Sequence, residues 1–213
     1  MMPTERELPP EFPEDLLVIG NEEMRASAHG HFLVHRELRW WAGRRAGPGD
    51  WVEFGVKGGK SAKQFLRHMP LGIRLFLLDS FEGLPEEWVI NAGEGDLPRK
   101  VKPAGHFACP VPKIPDRRAQ IIKGWFKDTA EELRSRTDQV GLVHIDCDLY
   151  SSTVDAFAAV EPMIGPGTIL VFDEVWGYGE WRQGEYRALV ESGLEYEWIA
   201  RGEGTLQAVA RIV

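Results

Sequence analysis

Two short acidic clusters carry the residue types most able to do chemistry: Asp146 with Asp148, and Asp173 with Glu174, each just past an apolar run. Carboxylates brought together on one rim repel and raise one another's pKa unless a cation sits among them. Hard oxygen ligands with room left for water suit Mg²⁺. His144 shares strand parity with Asp146, so the two side chains point to one face, and an imidazole there could move a proton near neutral pH. The competing reading of His144 is a packed, hydrogen-bonded strand residue. A second chemical segment is Glu53-Phe54-Gly55-Val56-Lys57-Gly58-Gly59-Lys60-Ser61. Its glycines permit a tight turn, close backbone approach to a ligand and a helix start with free N–H groups. It matches neither the Gly-x-Gly-x-x-Gly dinucleotide fingerprint nor a Walker loop. Asp79 follows 24 residues after Gly55, close to where an acid accepts hydrogen bonds from both ribose hydroxyls of an adenosine ligand. The alternative is that Asp79 and Ser80 cap the next turn. His31 and His35 have the i, i+4 spacing of helical metal ligands, but no Glu stands between them as in His-Glu-x-x-His and no third ligand lies nearby, so they are discounted. Cys147 has the opposite parity to Asp146 and reads as a buried, inert thiol.

Strands are needed to deliver these groups to one place. Apolar runs of strand length occur at Trp51 to Gly55, Arg74 to Asp79, Ala119 to Lys123, Leu142 to Asp146, Thr168 to Asp173, Tyr196 to Arg201 and Leu206 to Ile212. Helical patterns follow the first (Ser61 to His68), third (Thr129 to Arg136), fourth (Thr153 to Ile164) and fifth (Glu180 to Ser192). This is the rhythm of βαβ units. Only Gly202-Glu203-Gly204-Thr205 separates the last two runs, so the final strand runs antiparallel to its neighbour. The fold class expected is α/β: a seven-stranded, mostly parallel, Rossmann-like sheet with an antiparallel last strand. One domain spans 1–213. Residues 1–50 hold a Pro- and Glu-rich lead-in to residue 20, outside the core, and a helix between Asn21 and Gly43 that covers one end of the sheet. Residues 80–118, with six prolines, form a long lid-like insertion. In an open α/β sheet ligands sit beyond the carboxyl ends of the strands, where strand order reverses. The acids and the glycine turn all stand at such ends.

Composition excludes other classes. With 25 Lys and Arg against 33 Asp and Glu, the formal net charge is −8. No basic run provides a counterion-release footprint, so nucleic acid is not an expected partner. No stretch approaches the roughly 20 apolar residues that cross a bilayer, and the start lacks a basic region followed by an apolar one, so no membrane and no targeting are expected. Two cysteines, Cys109 and Cys147, are too few for a disulfide framework and fit a reducing cytoplasm.

Five strings taken together closely resemble the macrocin O-methyltransferase family of class I S-adenosylmethionine (SAM)-dependent methyltransferases: Glu53-Phe54-Gly55, Asp79-Ser80-Phe81-Glu82-Gly83-Leu84-Pro85, Gly124-Trp125-Phe126-Lys127-Asp128-Thr129, His144 through Thr153, and Phe172-Asp173-Glu174. The resemblance runs from about Trp51 to Arg187. It implies that Glu53, Gly55 and Ser61 line the methionine and ribose part of SAM, that Asp79 holds the ribose hydroxyls with Ser80 beside it, and that Gly124, Trp125 and Phe126 lie along the adenine. It also implies a divalent metal, Mg²⁺ by its ligands, on Asp146, Asp173 and Glu174, with Asp146 as the candidate general base and His144 as a second catalytic candidate. The sequence departs from the family at Asp173-Glu174, where paired aspartates are usual. The function implied is methyl transfer from SAM to a hydroxyl of a small molecule, a sugar or natural product. Trp88, Trp176, Tyr178 and Trp181 are candidates for the acceptor pocket. The alternatives are a SAM-binding module without catalysis and, on the same kind of sheet, an NAD-dependent oxidoreductase. The partner expected is a small-molecule acceptor, and helix and lid contacts leave room for a homodimer.

Overall fold

The structure is a computed structural model that describes residues 12–20, 30–91 and 99–213. An eight-stranded sheet forms its centre. In chain order the elements are β1 (Val18–Ile19), α1 (Gly30–Gly43), β2 (Asp50–Phe54), α2 (Lys60–His68), β3 (Leu75–Asp79), β4 (Trp88–Asn91), β5 (Lys100–Lys102) and β6 (Ala119–Lys123). Then follow α3 (Phe126–Arg136), β7 (Val140–Ile145), α4 (Tyr150–Val160), β8 (Ile169–Phe172), α5 (Glu185–Glu191), β9 (Tyr196–Gly202) and β10 (Ala208–Ile212). Strand order is β1-β9-β10-β8-β7-β2-β3-β6, with β4 and β5 as a separate antiparallel pair. All seven strands expected from the apolar runs form. The eighth is β1, only two residues long, which pairs in parallel with Arg201 and Gly202 at the edge. The final strand is antiparallel to both neighbours because β10 inserts between β8 and β9.

The central strands β2, β7 and β8 are buried along their whole length, as strands covered on both faces must be. Side-chain alternation sorts them into two cores. Trp51, Leu75, Leu77, Leu142, Ile169 and Val171 meet α1 and α2 on one face. Val52, Phe54, Leu78, Val143, Ile145, Leu170 and Phe172 belong to the other core, with residues of α4 and α5 such as Phe157 and Leu189. Each large side chain buried this way contributes about 1.5–3 kcal/mol. Glu53 and His144 are register partners on adjacent strands and fall on the α1 side of the sheet. That polar pair lies within an otherwise apolar layer.

Two expectations about the first 50 residues need correction. Phe12 is buried and packs edge-on against Trp198 and Trp176, at 4.9 and 5.8 Å between ring centroids, so the end of the lead-in belongs to the core. The helix between Asn21 and Gly43 is described only from Gly30, and it lies against α2, β8 and β9 on a face of the sheet instead of capping an end. The first part of the lead-in and residues 21–29 lie outside the described residues. Within 80–118, Leu84 and Trp88 pack with Leu149 beside the strand ends, so the described part of the insertion is seated against the rim. Among the described residues no helix is long and apolar enough to cross a membrane.

Candidate active site

From β2 the chain steps outward to β3 and β6, then returns to β7 on the other side, so strand order reverses between β2 and β7. Their carboxyl ends are locked together at that point. The Asp146 N–H donates to the Phe54 carbonyl at 3.0 Å. Gly55 has φ +87°, and a Cβ there would run into the Asp146 carbonyl oxygen, so this crossing requires glycine. Above it opens a cleft of about 780 Å³.

One half of the cleft is made by the glycine turn. The Asp79 carboxylate accepts hydrogen bonds from the N–H groups of Val56 (2.8 Å), Lys57 (2.7 Å) and Phe81 (2.7 Å). Those bonds hold Lys57 at φ 48°, a left-handed conformation that side chains rarely adopt. With about four lone-pair sites on a carboxylate, Asp79 keeps room for a further donor on Oδ1. Gly55, Ser61, Asp79, Ser80, Trp125 and Phe126 all line the cleft. Phe126 is fixed by an edge contact with Phe54, 5.0 Å between centroids, and Trp125 beside it is half-buried. Gly124 and Glu53 are not among the lining residues. Glu53 is fully buried beneath the floor, where its Oε1 accepts a hydrogen bond from the Ser61 hydroxyl. Its Oε2 has no hydrogen-bond partner.

The other half is acidic. Asp146, Asp148, Asp173 and Glu174 line the cleft together. One oxygen from each of Asp146, Asp148 and Glu174 lies within 4.8 Å of the others, and His144, Asp146 and Asp173 form a second such set. Burial, with the charges of Asp173 and Asp148, pushes the Asp146 carboxyl well above its usual range. Burial and Asp173 push Asp148 up to about 7, against the pull of Lys57 and Lys102. Burial and the three neighbouring aspartates raise Glu174 likewise. Asp173 goes the other way. Burial works to raise it, but Arg39, His144 and His35 together hold it well below the usual carboxylate range.

Arg39 is one of two residues that sequence reasoning missed. From α1 its Nη2 donates to Asp173 Oδ1 at 2.5 Å, its Nε to His144 Nε2 at 3.3 Å, and its Nη1 to Gln64 Oε1 at 3.2 Å. His144 is fully enclosed, with Nε2 accepting from Arg39 and Nδ1 lying 3.4 Å from Glu53 Oε1. It does not line the cleft. His144 therefore lies beneath the rim, against Asp173 and Glu53, and not on the cleft wall. The discounted His35 stands with Nδ1 3.6 Å from Asp173 Oδ1, whereas the His31 side chain lies outside the described residues. A signal for Arg39 was present in the sequence. Val34, His35, Leu38, Arg39 and Ala42 recur at helical spacing and are all buried, so two polar residues sit on the apolar stripe of α1.

Glu185, at the start of α5, was also missed. It is fully buried and accepts the N–H groups of Cys147 (3.1 Å), Asp148 (3.3 Å) and Glu174 (3.3 Å), tying the ends of β7 and β8 to one carboxylate. Burial pushes its pKa up to about 8, partly offset by the Cys147 N–H. Of the four aromatics proposed for an acceptor pocket, only Trp88 lines the cleft. Trp176 and Trp181 are core residues, and Tyr178 packs edge-on behind Trp88 at 6.1 Å. Cys147 is buried as expected.

The switch-point cleft and the sheet with its inserted antiparallel strand define the class I methyltransferase fold. Solved structures with this fold include CalS11, a calicheamicin methyltransferase, at 22% identity and a TM-score of 0.64 over 90% of this chain and 82% of that one. The O-methyltransferase NovP aligns at 22% identity and a TM-score of 0.58, over 85% and 80% of the two chains. Residues 43–189 match the family Macrocin-O-methyltransferase (TylF), and the chain belongs to that family. Among its relatives, the 8-demethyl-8-(2,3-dimethoxy-alpha-L-rhamnosyl)-tetracenomycin-C 4'-O-methyltransferase of Streptomyces olivaceus is 32% identical over 143 residues, and the demethyldecarbamoylnovobiocin O-methyltransferase of Streptomyces niveus 28% over 145. Each match covers 60% of this chain, which spans about half (53%) of either relative.

Proposed function

We propose that the protein transfers a methyl group from SAM to a hydroxyl oxygen of a small sugar-bearing or natural-product acceptor, assisted by a divalent cation on the acid rim. The observation that carries this is a single cleft with an adenosine-type half (Asp79, Ser80, Trp125) and a carboxylate half (Asp146, Asp148, Glu174) on either side of the strand-order reversal. Family membership supports the methyl donor. The relatives' names, which specify O-methylation of a rhamnosyl-tetracenomycin and of a demethyldecarbamoylnovobiocin, support the acceptor class.

In this reading Asp79, already committed to three backbone N–H groups, has its remaining acceptor capacity for the ribose, and the Trp125 ring offers a stacking face to the purine. The donor set fits a hard cation. Its ligands are carboxylate oxygens, three of them mutually within 4.8 Å, and Glu174 Oε2 is enclosed without a hydrogen-bond partner. A bound Mg²⁺ would orient the acceptor hydroxyl and lower its pKa. Asp146, its carboxyl raised by burial and by Asp173 and Asp148, is the group assigned to take the hydroxyl proton. His144 keeps Asp173 and Glu53 in place beneath it. The protein's contribution is position and electrostatics, since the donor already carries an activated methyl.

The pairing of Asp173 with Arg39 favours a second reading, a SAM-binding module without turnover. Membership of a methyltransferase family removes the nicotinamide oxidoreductase. Calorimetry with SAM, and turnover of a panel of free and glycosidic sugars with and without Mg²⁺, separates the two remaining readings. Asp79→Ala should weaken SAM binding by about tenfold or more, as expected for lost hydrogen bonds to a charged group. Undiminished binding by that variant would contradict the ribose assignment.

A further inference from the structure

Four non-glycine residues among those described have a left-handed backbone, and three of them line the cleft: Lys57 at φ 48°, Phe107 at 74° and Asp148 at 61°. Residues with side chains seldom adopt that conformation, and it persists where the surroundings over-determine it, above all at ligand-binding sites. Here it brings an ammonium, an aromatic ring and a carboxylate to one cleft. Lys57 Nζ lies 4.0 Å from the centre of the Phe107 ring, and Lys102 Nζ approaches the same ring at 6.0 Å. Two ammoniums thus converge on one side chain, in a chain whose net charge is −8.

Each of the three is fixed from behind. The Lys57 N–H donates to the Asp79 carboxylate at 2.7 Å. The loop before Phe107 is pinned to the segment after Asp79. The Leu84 N–H donates to the His106 carbonyl at 2.9 Å and the Gly105 N–H to the Leu84 carbonyl at 2.8 Å, and a Cβ on Gly83 would strike the Gly105 and His106 carbonyls. Lys102 stands directly across from Trp88 in the β4–β5 pair, so the two side chains share a face, and Trp88 lines the cleft. Neither ammonium has an ion-pair partner among the described residues. Both draw the Asp148 carboxyl downward against its burial, so the pair faces the acid half of the cleft.

Like charges held close repel, and an anion between them offsets that cost. A lysine ammonium binds phosphate as a point charge, and a phosphate ester carries about two negative charges near neutral pH. We infer that Lys57 and Lys102, with the Phe107 ring they share, form a subsite for a phosphate or diphosphate ester on the acceptor, so that the substrate is a phosphorylated sugar. The inference rests on the proposed function and narrows its acceptor class. The cofactor's own carboxylate is the other anion open to such a pair. The place of Lys102 on the insertion, opposite Trp88 and close enough to act on Asp148, favours the acceptor.

The test is calorimetry in metal-free buffer, with inorganic pyrophosphate titrated into the full chain saturated with S-adenosylhomocysteine. The wild type should bind one pyrophosphate, more weakly as KCl is raised. Lys102→Met should weaken that binding by about tenfold or more, as expected for a lost bond between charged groups, and keep its S-adenosylhomocysteine affinity, which also reports that the variant is folded. Lys127→Met removes a cleft-lining lysine outside the pair and should bind pyrophosphate within about threefold of wild type, the usual worth of an exposed charge. Equal losses in the two variants would mean a diffuse positive field and overturn the subsite. A parallel fall in S-adenosylhomocysteine affinity in Lys102→Met would give the pair to the cofactor's carboxylate and overturn it too. A wild type that binds S-adenosylhomocysteine but no pyrophosphate overturns the subsite and leaves the cofactor reading standing. One that binds neither contradicts both.

Discussion

The two halves of the cleft are stabilised in opposite ways. Around Asp79 the polar groups satisfy one another locally: one carboxylate, three backbone N–H groups, and a glycine at the crossing. Around Asp146 the carboxylates outnumber the local donors, and what relief there is comes from residues distant in sequence, Arg39 on α1 and Gln207 before β10, while Glu185 on α5 adds a further buried carboxylate. A self-satisfied half can hold a ligand without changing its own charge state. The strained half is built to accept a cation or a proton, and its energy depends on whichever arrives.

The largest effect that would break this contrast is predicted at Arg39. Arg39→Met leaves Asp173 buried without its main partner and should cost about 3–5 kcal/mol in urea denaturation, the usual penalty for breaking a buried ion pair from one side. A loss below 1 kcal/mol would mean that the pair is solvated and the rim not strained. Next, Asp146→Asn should lower turnover by about 100-fold, the lower end of what a positioned acid–base group contributes, with little change in S-adenosylhomocysteine affinity. If affinity fell as much as rate, the two halves would be one functional unit.

The smallest effect is a pH dependence, and its sign separates the halves. Asp148 and Glu185 have folded pKa values of about 7 and about 8, raised from 3.8 and 4.5. The stability they contribute is full below their unfolded pKa values and is lost as pH rises through 7 and 8. Thermal unfolding without added metal should therefore show stability falling between about pH 5 and 8.5. Mg²⁺ should restore most of it at the alkaline end. A stability that stayed flat over that range would place the rim carboxylates in the ordinary acidic range.

The legible parts of the sequence were those with local causes. Apolar runs and their alternation gave every long strand, because a buried parallel strand must be apolar over its whole length. Gly55, Asp79 and the acid clusters were visible because spacing along one chain segment sets their geometry. Strand β1 was not legible, since two residues carry no periodicity and its pairing depends on β9, more than 170 residues away. Arg39 and Glu185 were missed for a related reason. Each looks like an ordinary surface charge until the fold buries it against a partner 134 or 38 residues distant. Phe12 was hidden in a Pro- and Glu-rich stretch whose composition suggests solvent, although a single aromatic suffices to dock it.

The most direct test of the account is a crystal structure with S-adenosylhomocysteine and Mn²⁺. It should show the ribose against Asp79, the adenine beside Trp125 and the sulfur facing Asp146 across the crossing of β2 and β7. A cleft that stays empty at saturating ligand, or a nucleoside bound elsewhere, would contradict it.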